Sequence, residues 1–188
     1  MPVLFAILII LAVVLFWIIG VYNVLIKLQN RTKESWSDID VQLKRRHDLI
    51  PNLVNSVKGY MKHERELLEN ITKSRADAMK AQEAGDTEGL AKSETQINSM
   101  MRDLKVAMEA YPDLKANQNV MQLMDELSDT ENKIMAARRF YNGNVRDFNI
   151  KIESFPNNVI AGMFKRFEKF VFFEIEDATE RENIEVKL

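Results

Sequence analysis

The chain opens with Val3-Leu4-Phe5-Ala6-Ile7-Leu8-Ile9-Ile10-Leu11-Ala12-Val13-Val14-Leu15-Phe16-Trp17-Ile18-Ile19 and, after Gly20, continues Val21-Tyr22-Asn23-Val24-Leu25-Ile26, with no Asp, Glu, Lys or Arg before Lys27. About 20 consecutive apolar residues are what a helix needs to cross the hydrocarbon core of a bilayer, so residues 1–26 read as a transmembrane helix. A cleaved signal peptide carries a basic start, a shorter apolar core and a small-residue cleavage site. This segment starts Met1-Pro2 and ends in Tyr22, Asn23, Leu25 and Ile26, so an uncleaved anchor is expected. Trp17 and Tyr22 are the amphipathic rings available to settle at lipid headgroups, Tyr22 being the better placed.

Outward from that segment the composition changes completely. All 26 basic and all 28 acidic side chains fall in residues 27–188, making about a third of them charged. That is a highly solvated body of one-domain size. Six glycines and four prolines in the whole chain favour long helices over a sheet-rich fold. The chain has no cysteine, which removes disulfides, thiol catalysis and thiolate metal sites together.

The polar part begins with apolar side chains at Trp36, Ile39, Leu43, Ile50, Leu53, Val57, Tyr60, Leu67, Ile71 and Ala78, spaced by three and four. This narrow, coiled-coil-like seam predicts one long helix from Lys27 to near Gln82, kinked near Pro51, whose ring crowds the preceding turn. Gly85-Asp86-Thr87 gives a helix stop followed by an N-cap at Asp86. Leu90, Ile97, Met101, Leu104 and Met108 define a second helix, with Glu94 as its polar exception, ending at Tyr111-Pro112. Val120, Leu123, Leu127, Thr130, Ile134, Ala137, Tyr141, Phe148 and Ile152 define a third, closed by Phe155-Pro156. The expected architecture is all-α: the transmembrane helix, an antiparallel up-down-up bundle over residues 27–155, and a short C-terminal helical segment. The second helix is less than half as long as the first. Part of the first seam is thus left uncovered, which predicts self-association into a homo-oligomer.

Residues 156–174 are a Phe-rich basic segment. Phe164, Phe167, Phe170, Phe172 and Phe173 are half of the ten phenylalanines, interleaved with Lys165, Arg166 and Lys169. They either pack on the bundle or form an interface with a membrane or another subunit. Residues 175–188 read as an acidic, solvated tail.

Catalytic chemistry has no visible machinery. His47 and His63 are 16 residues apart, about 160° around one straight helix, and each reads as a surface or partly packed side chain. His63-Glu64 lacks the second histidine of a zinc-protease helix, and there is no Glu-x-x-His pair, Gly-x-Ser-x-Gly turn or phosphate-binding loop. No catalytic, cofactor-binding or metal-ligating residue is assigned. Lys44-Arg45-Arg46 has no interleaved aromatics and sits in a chain of net charge −2, so nucleic acid is not an expected partner. Arg46 and Glu64 occupy positions where the first seam calls for apolar residues, and Glu131 and Arg138 bracket the third. Either these side chains reach solvent along the bundle edge, or opposite charges pair across it and fix helix register, with truncation of one partner costing about 3 to 5 kcal/mol.

One group of motifs is more specific than any of these. Trp36-Ser37-Asp38-Ile39-Asp40-Val41-Gln42-Leu43-Lys44-Arg45-Arg46, then Asp48-Leu49-Ile50-Pro51-Asn52-Leu53-Val54, Val57-Lys58-Gly59-Tyr60 and His63-Glu64, resemble LemA proteins. Tyr111-Pro112-Asp113-Leu114-Lys115-Ala116-Asn117, Ala137-Arg138-Arg139-Phe140-Tyr141-Asn142, Phe148-Asn149, Phe155-Pro156 and Phe172-Phe173-Glu174 continue the match in order, so it covers most of the chain from Tyr22 to Glu174. The resemblance implies a bacterial membrane-anchored protein with an antiparallel helical bundle and no established enzymatic activity. It supplies no catalytic residues to carry over.

The expected function is a non-catalytic scaffold that self-associates at the bacterial inner membrane and recruits protein or lipid partners. The alternative is an accessory subunit of a membrane protease or signalling kinase. Lys27, Arg31, Lys33, Lys44, Arg45 and Arg46 follow the span, which by the positive-inside rule places the bundle in the cytoplasm. Use of the apolar segment as an uncleaved export signal, with the bundle outside, is the other orientation.

Overall fold

A computed structural model describes residues 1–174, so the acidic tail at 175–188 lies outside the described residues. Among the described residues the fold is all-helical: α1 (Pro2–Val57), α2 (Arg65–Ala84), α3 (Thr87–Met108), α4 (Pro112–Ala116), α5 (Gln118–Glu153) and α6 (Asn157–Met163). An apolar N-terminal helix followed by a helical bundle is what the pattern of apolar residues predicts.

The first polar run departs from expectation at one place. Instead of continuing to Gln82, α1 passes through Pro51 and stops at Val57, and α2 starts at Arg65. Lys58 N–H donates to the Val54 carbonyl, and the Tyr60 and Met61 N–H groups both donate to the Val57 carbonyl, closing a turn that sends Met61 into the core. Gly59, a weak helix former, lies inside this turn. α2 then folds back beside α1, with Arg75 Nε donating to the His47 carbonyl at 2.6 Å. Met61 and Leu68 take over the seam, leaving Tyr60 exposed and Leu67 only half-buried. The cover that α1 lacked on the three-helix reading therefore comes from within the chain: Ile50, Leu53 and Val57 are all buried.

The remaining boundaries follow local chemistry. Gly85 adopts φ 68°, its N–H donating to the Gln82 carbonyl while Asp86 N–H donates to that of Ala81, so the free carbonyls at the end of α2 are met by a left-handed C-cap. Asp86 at once caps α3, its Oδ1 accepting from Gly89 N–H at 2.9 Å. A Cβ at position 85 meets no neighbour, so Gly85→Ala should destabilise through backbone conformation alone, by about 1 to 2 kcal/mol. Thermal unfolding by circular dichroism checks this. Pro112 opens α4 at a position that needs no N–H, and Asn117 Oδ1 accepts from the N–H groups of Asn119 and Val120 at the start of α5.

The contacts resolve into two compact units. The first joins Met1–Asp40 to Ala136–Phe172, bringing the apolar N-terminal helix together with the Phe-rich segment from the other end of the sequence. Its core is Val21, Leu25, Phe148, Ile152, Ile160, Ala161 and Phe167. The second unit contains Val41–Met135 and is held by Ile50, Leu53, Ile71, Leu90, Ile97 and Leu104, each essentially inaccessible to solvent. Burying one such side chain stabilises by roughly 1.5 to 3 kcal/mol.

Candidate functional site

In the first unit the aromatic segment wraps the end of the apolar helix. Phe164 and Phe167 place their ring centroids 4.9 Å and 5.6 Å from that of Tyr22 in tilted, edge-on arrangements, and the Arg166 guanidinium donates to the Tyr22 hydroxyl at 3.2 Å. Arg166 also lies over the Phe167 ring, 5.8 Å from its centroid. Between α6 and residue 174 the described residues form no helix or strand, so their backbone groups need partners from side chains. Gln29 Nε2 donates to the Arg166 carbonyl at 2.8 Å, and Tyr141 Oη donates to the Val171 carbonyl at 2.9 Å. Asn149 grips Phe170 at both backbone groups, donating to its carbonyl at 2.9 Å and accepting from its N–H at 3.1 Å. The side-chain amide thus does for one residue what a neighbouring strand would do. Phe148, beside it, is fully buried with its ring 5.2 Å from that of Phe170.

The five phenylalanines read as one interface therefore divide. Phe167 and Phe173 are buried and Phe170 is half-buried, whereas Phe164 and Phe172 keep much of their surface in solvent. Trp17 is exposed on the apolar helix, and Tyr22 is half-buried under the aromatic segment. Every residue from Pro2 to Gly20 is exposed except Ile18, which is half-buried. α1 is long and apolar enough to cross a membrane.

The second unit encloses charges. Glu94 of α3 is 0 % exposed, and Arg46 and His47 of α1 are each 2 % exposed. One Glu94 oxygen accepts from Arg46 at 3.1 Å, and the other lies 2.7 Å from His47 Nε2. Arg46 also donates to the Asn98 side-chain oxygen. Each carboxylate oxygen is matched by a nitrogen, as a charge held out of water requires. Arg46 thus pairs with Glu94. Glu64 instead accepts the Tyr111 hydroxyl at 2.6 Å, while Glu131 and Arg138 lie half-buried along α5. Glu131 lines a cleft of about 310 Å³ beside Arg46, shared with Met101, Met108, Met121 and Met124. His47 proves to be a core residue rather than a surface or partly packed one, while His63 is exposed. In the sequence Arg46 and Glu94 stand out separately, each as a polar exception on its own seam. Their spacing of 48 residues gave no reason to join them.

The Glu64 contact makes a pH prediction. The hydrogen bond that the Tyr111 hydroxyl donates to Glu64, then burial and repulsion by the Glu64 charge, raise the phenol above its ordinary pKa of 10.0. A group whose pKa is raised on folding stabilises fully below its unfolded value and loses that contribution as pH climbs through the folded one. The tie between the start of α2 and the α3–α4 junction should therefore weaken only above pH 10. In an ultraviolet absorbance titration, Glu64→Gln should bring one tyrosine back towards its ordinary range.

Among the described residues no cluster of three or more His, Asp and Glu is arranged to hold a metal. Residues 35–188 match the LemA family. The chain is 32% identical over 168 residues to Protein LemA of Metamycoplasma hominis, covering 89% of this chain and 74% of that protein. It is 22% identical over 174 residues to two magnetosome proteins of Paramagnetospirillum magneticum, MamQ 1 and MamQ 2, spanning 64% of the length of each.

Proposed function

Since the chain belongs to the LemA family, we propose that it is a non-catalytic, membrane-anchored helical scaffold that self-associates and recruits protein or lipid partners. The observation that carries the membrane-anchored part of this reading is α1 itself. Its solvent-exposed apolar portion, Pro2–Gly20, continues without a break into a polar helix reaching Val57. At 1.5 Å per residue that apolar portion is about 28 Å long, close to the roughly 30 Å of a bilayer's hydrocarbon core. The buried polar cluster at Glu94 suits a structural role, because both carboxylate oxygens are taken up by Arg46 and His47. The basic residues from Lys27 onward favour a cytoplasmic bundle, which protease digestion in sealed cells tests: cleavage of the bundle from outside overturns it.

The reading of an accessory subunit for a membrane protease or signalling kinase gains from one observation. The α1 seam that would otherwise invite a second copy is already buried within the chain at Ile50, Leu53 and Val57. The mass of the intact chain in mild detergent, by light scattering, decides between the two. An assembly several times larger than one 21.8 kDa chain with its detergent is the expected result. A monomer would remove the scaffold reading in favour of the accessory one.

A further inference from the structure

We infer that α6 and its flanks form a second membrane contact, lying in the headgroup layer beside the point where α1 leaves the bilayer, with Phe155, Val159, Met163 and Phe164 as its lipid-facing residues. The inference rests on the membrane-anchored reading above and adds a lipid partner for a different part of the chain.

The level is set by α1. With Pro2–Gly20 filling the hydrocarbon core, Tyr22 comes two residues later, about 3 Å further along the helix axis and so at the headgroups. Phe164 and Phe167 stack on Tyr22, and Arg166 bonds its hydroxyl, so the chain leaving α6 is fixed at that same level. Ile18, still inside the span, packs against the cluster containing Ile160 and Ala161 of α6. α6 is therefore attached to the membrane helix at its exit.

Beside Asn158 and Gly162, the exposed side of α6 presents two large apolar side chains to water. Ile160 and Ala161 point into the core, while Val159 and Met163, four residues apart and so on one face, are 55% and 67% exposed. Phe155, at the turn into α6, is 81% exposed, and Phe164 remains partly open on the far side of its contact with Tyr22. Lys165 and Arg166 follow immediately, and both are exposed. Apolar side chains backed by basic ones at the headgroup level match the pattern of an interfacial segment, which gains from apolar burial at the acyl boundary and from anionic headgroups. A lipid surface is the occupant this position implies, since the span that adjoins the patch is itself surrounded by lipid.

The absence of cysteine makes the test direct. Full-length chains carrying Val159→Cys or Met163→Cys are labelled with an environment-sensitive fluorophore and reconstituted into phosphatidylcholine–phosphatidylglycerol vesicles. Val106→Cys, at a 73% exposed apolar position of α3, is the control, and Leu11→Cys reports on the span. The expected result is blue-shifted emission at 159 and 163, quenched several-fold more strongly by lipids with a shallow nitroxide than the Val106 label is. Labels at both positions that are quenched by aqueous iodide as readily as at 106 would overturn the inference. So would labels shielded from iodide and nitroxide lipid alike, which would mean that protein, such as a second copy, covers the patch. Failure of the anchor reading looks different: the Leu11 label would then escape lipids carrying a deep nitroxide.

Discussion

Glu94→Ala should lower the stability of the folded chain by about 3 to 5 kcal/mol, among the largest losses expected from any single polar substitution in this protein. The reason is what remains after the carboxylate is gone. Arg46 would keep its charge at 2 % exposure with only the Asn98 amide beside it, and His47 would lose the partner of its Nε2. Glu94→Gln keeps the shape but not the charge, so it should fall between Ala and the native residue. Removing both ions is different in kind, because the desolvation cost leaves with them. Arg46→Met combined with Glu94→Met should therefore cost less than Glu94→Ala alone. Chemical unfolding of the intact chain in mild detergent, followed by far-ultraviolet ellipticity, ranks the three. With Arg46→Met and Glu94→Met measured singly beside it, a double variant that loses as much as the sum of those two would mean that the charges act independently.

That cluster also shows how far the sequence could be read. Punctuation was legible where one residue's chemistry sets the backbone, as with Gly85 in its left-handed cap, Asp86 on Gly89, the end of α3 ahead of Pro112, and the Phe155-Pro156 boundary after α5, whereas the short α4 that Pro112 opens was not. The apolar run ahead of Lys27 was equally plain, because nothing but lipid or a core accommodates it. The turn between Val57 and Arg65 was not legible. The seam keeps its three-and-four spacing through Val57 and Tyr60 to Leu67 and Ile71, so periodicity alone extends the helix. What ends it is tertiary packing, which buries Met61 after the turn along with Ile50, Leu53 and Val57 before it, and only Gly59 hints at this locally. The Arg46–Glu94 pair needed the same missing knowledge of which helices are neighbours. The grip of Asn149 on Phe170 was hidden for another reason: a lone amide on a helix has no periodic signature, and its target has no regular structure.

Phe148→Ala should cost about 3 to 5 kcal/mol and, more tellingly, should loosen the aromatic segment from the membrane helix. Phe148 is fully buried and sits in one cluster with Leu25 of α1, Ile160 of α6 and Phe167, while its ring meets that of Phe170. Truncation leaves a void shared by three stretches of chain, and a void among elements held partly by side-chain contacts can be relieved by letting one go. The segment with no secondary structure of its own is the one to yield. Trypsin reads this out, because Lys165, Arg166 and Lys169 lie in that segment and are cut only when its backbone becomes available. In vesicle-reconstituted protein, cleavage there should quicken severalfold in Phe148→Ala while sites on α2 and α3 keep their native rate. Asn149→Ala separates the two restraints. It leaves the Phe170 N–H and carbonyl without their side-chain partner, at about 1 to 3 kcal/mol, but keeps the core filled. If Asn149→Ala releases the segment and Phe148→Ala does not, the amide rather than the aromatic cluster is what fastens the C-terminal chain to the membrane helix. If digestion is unchanged in both, the ties from Gln29 to Arg166 and from Tyr141 to Val171 are sufficient by themselves.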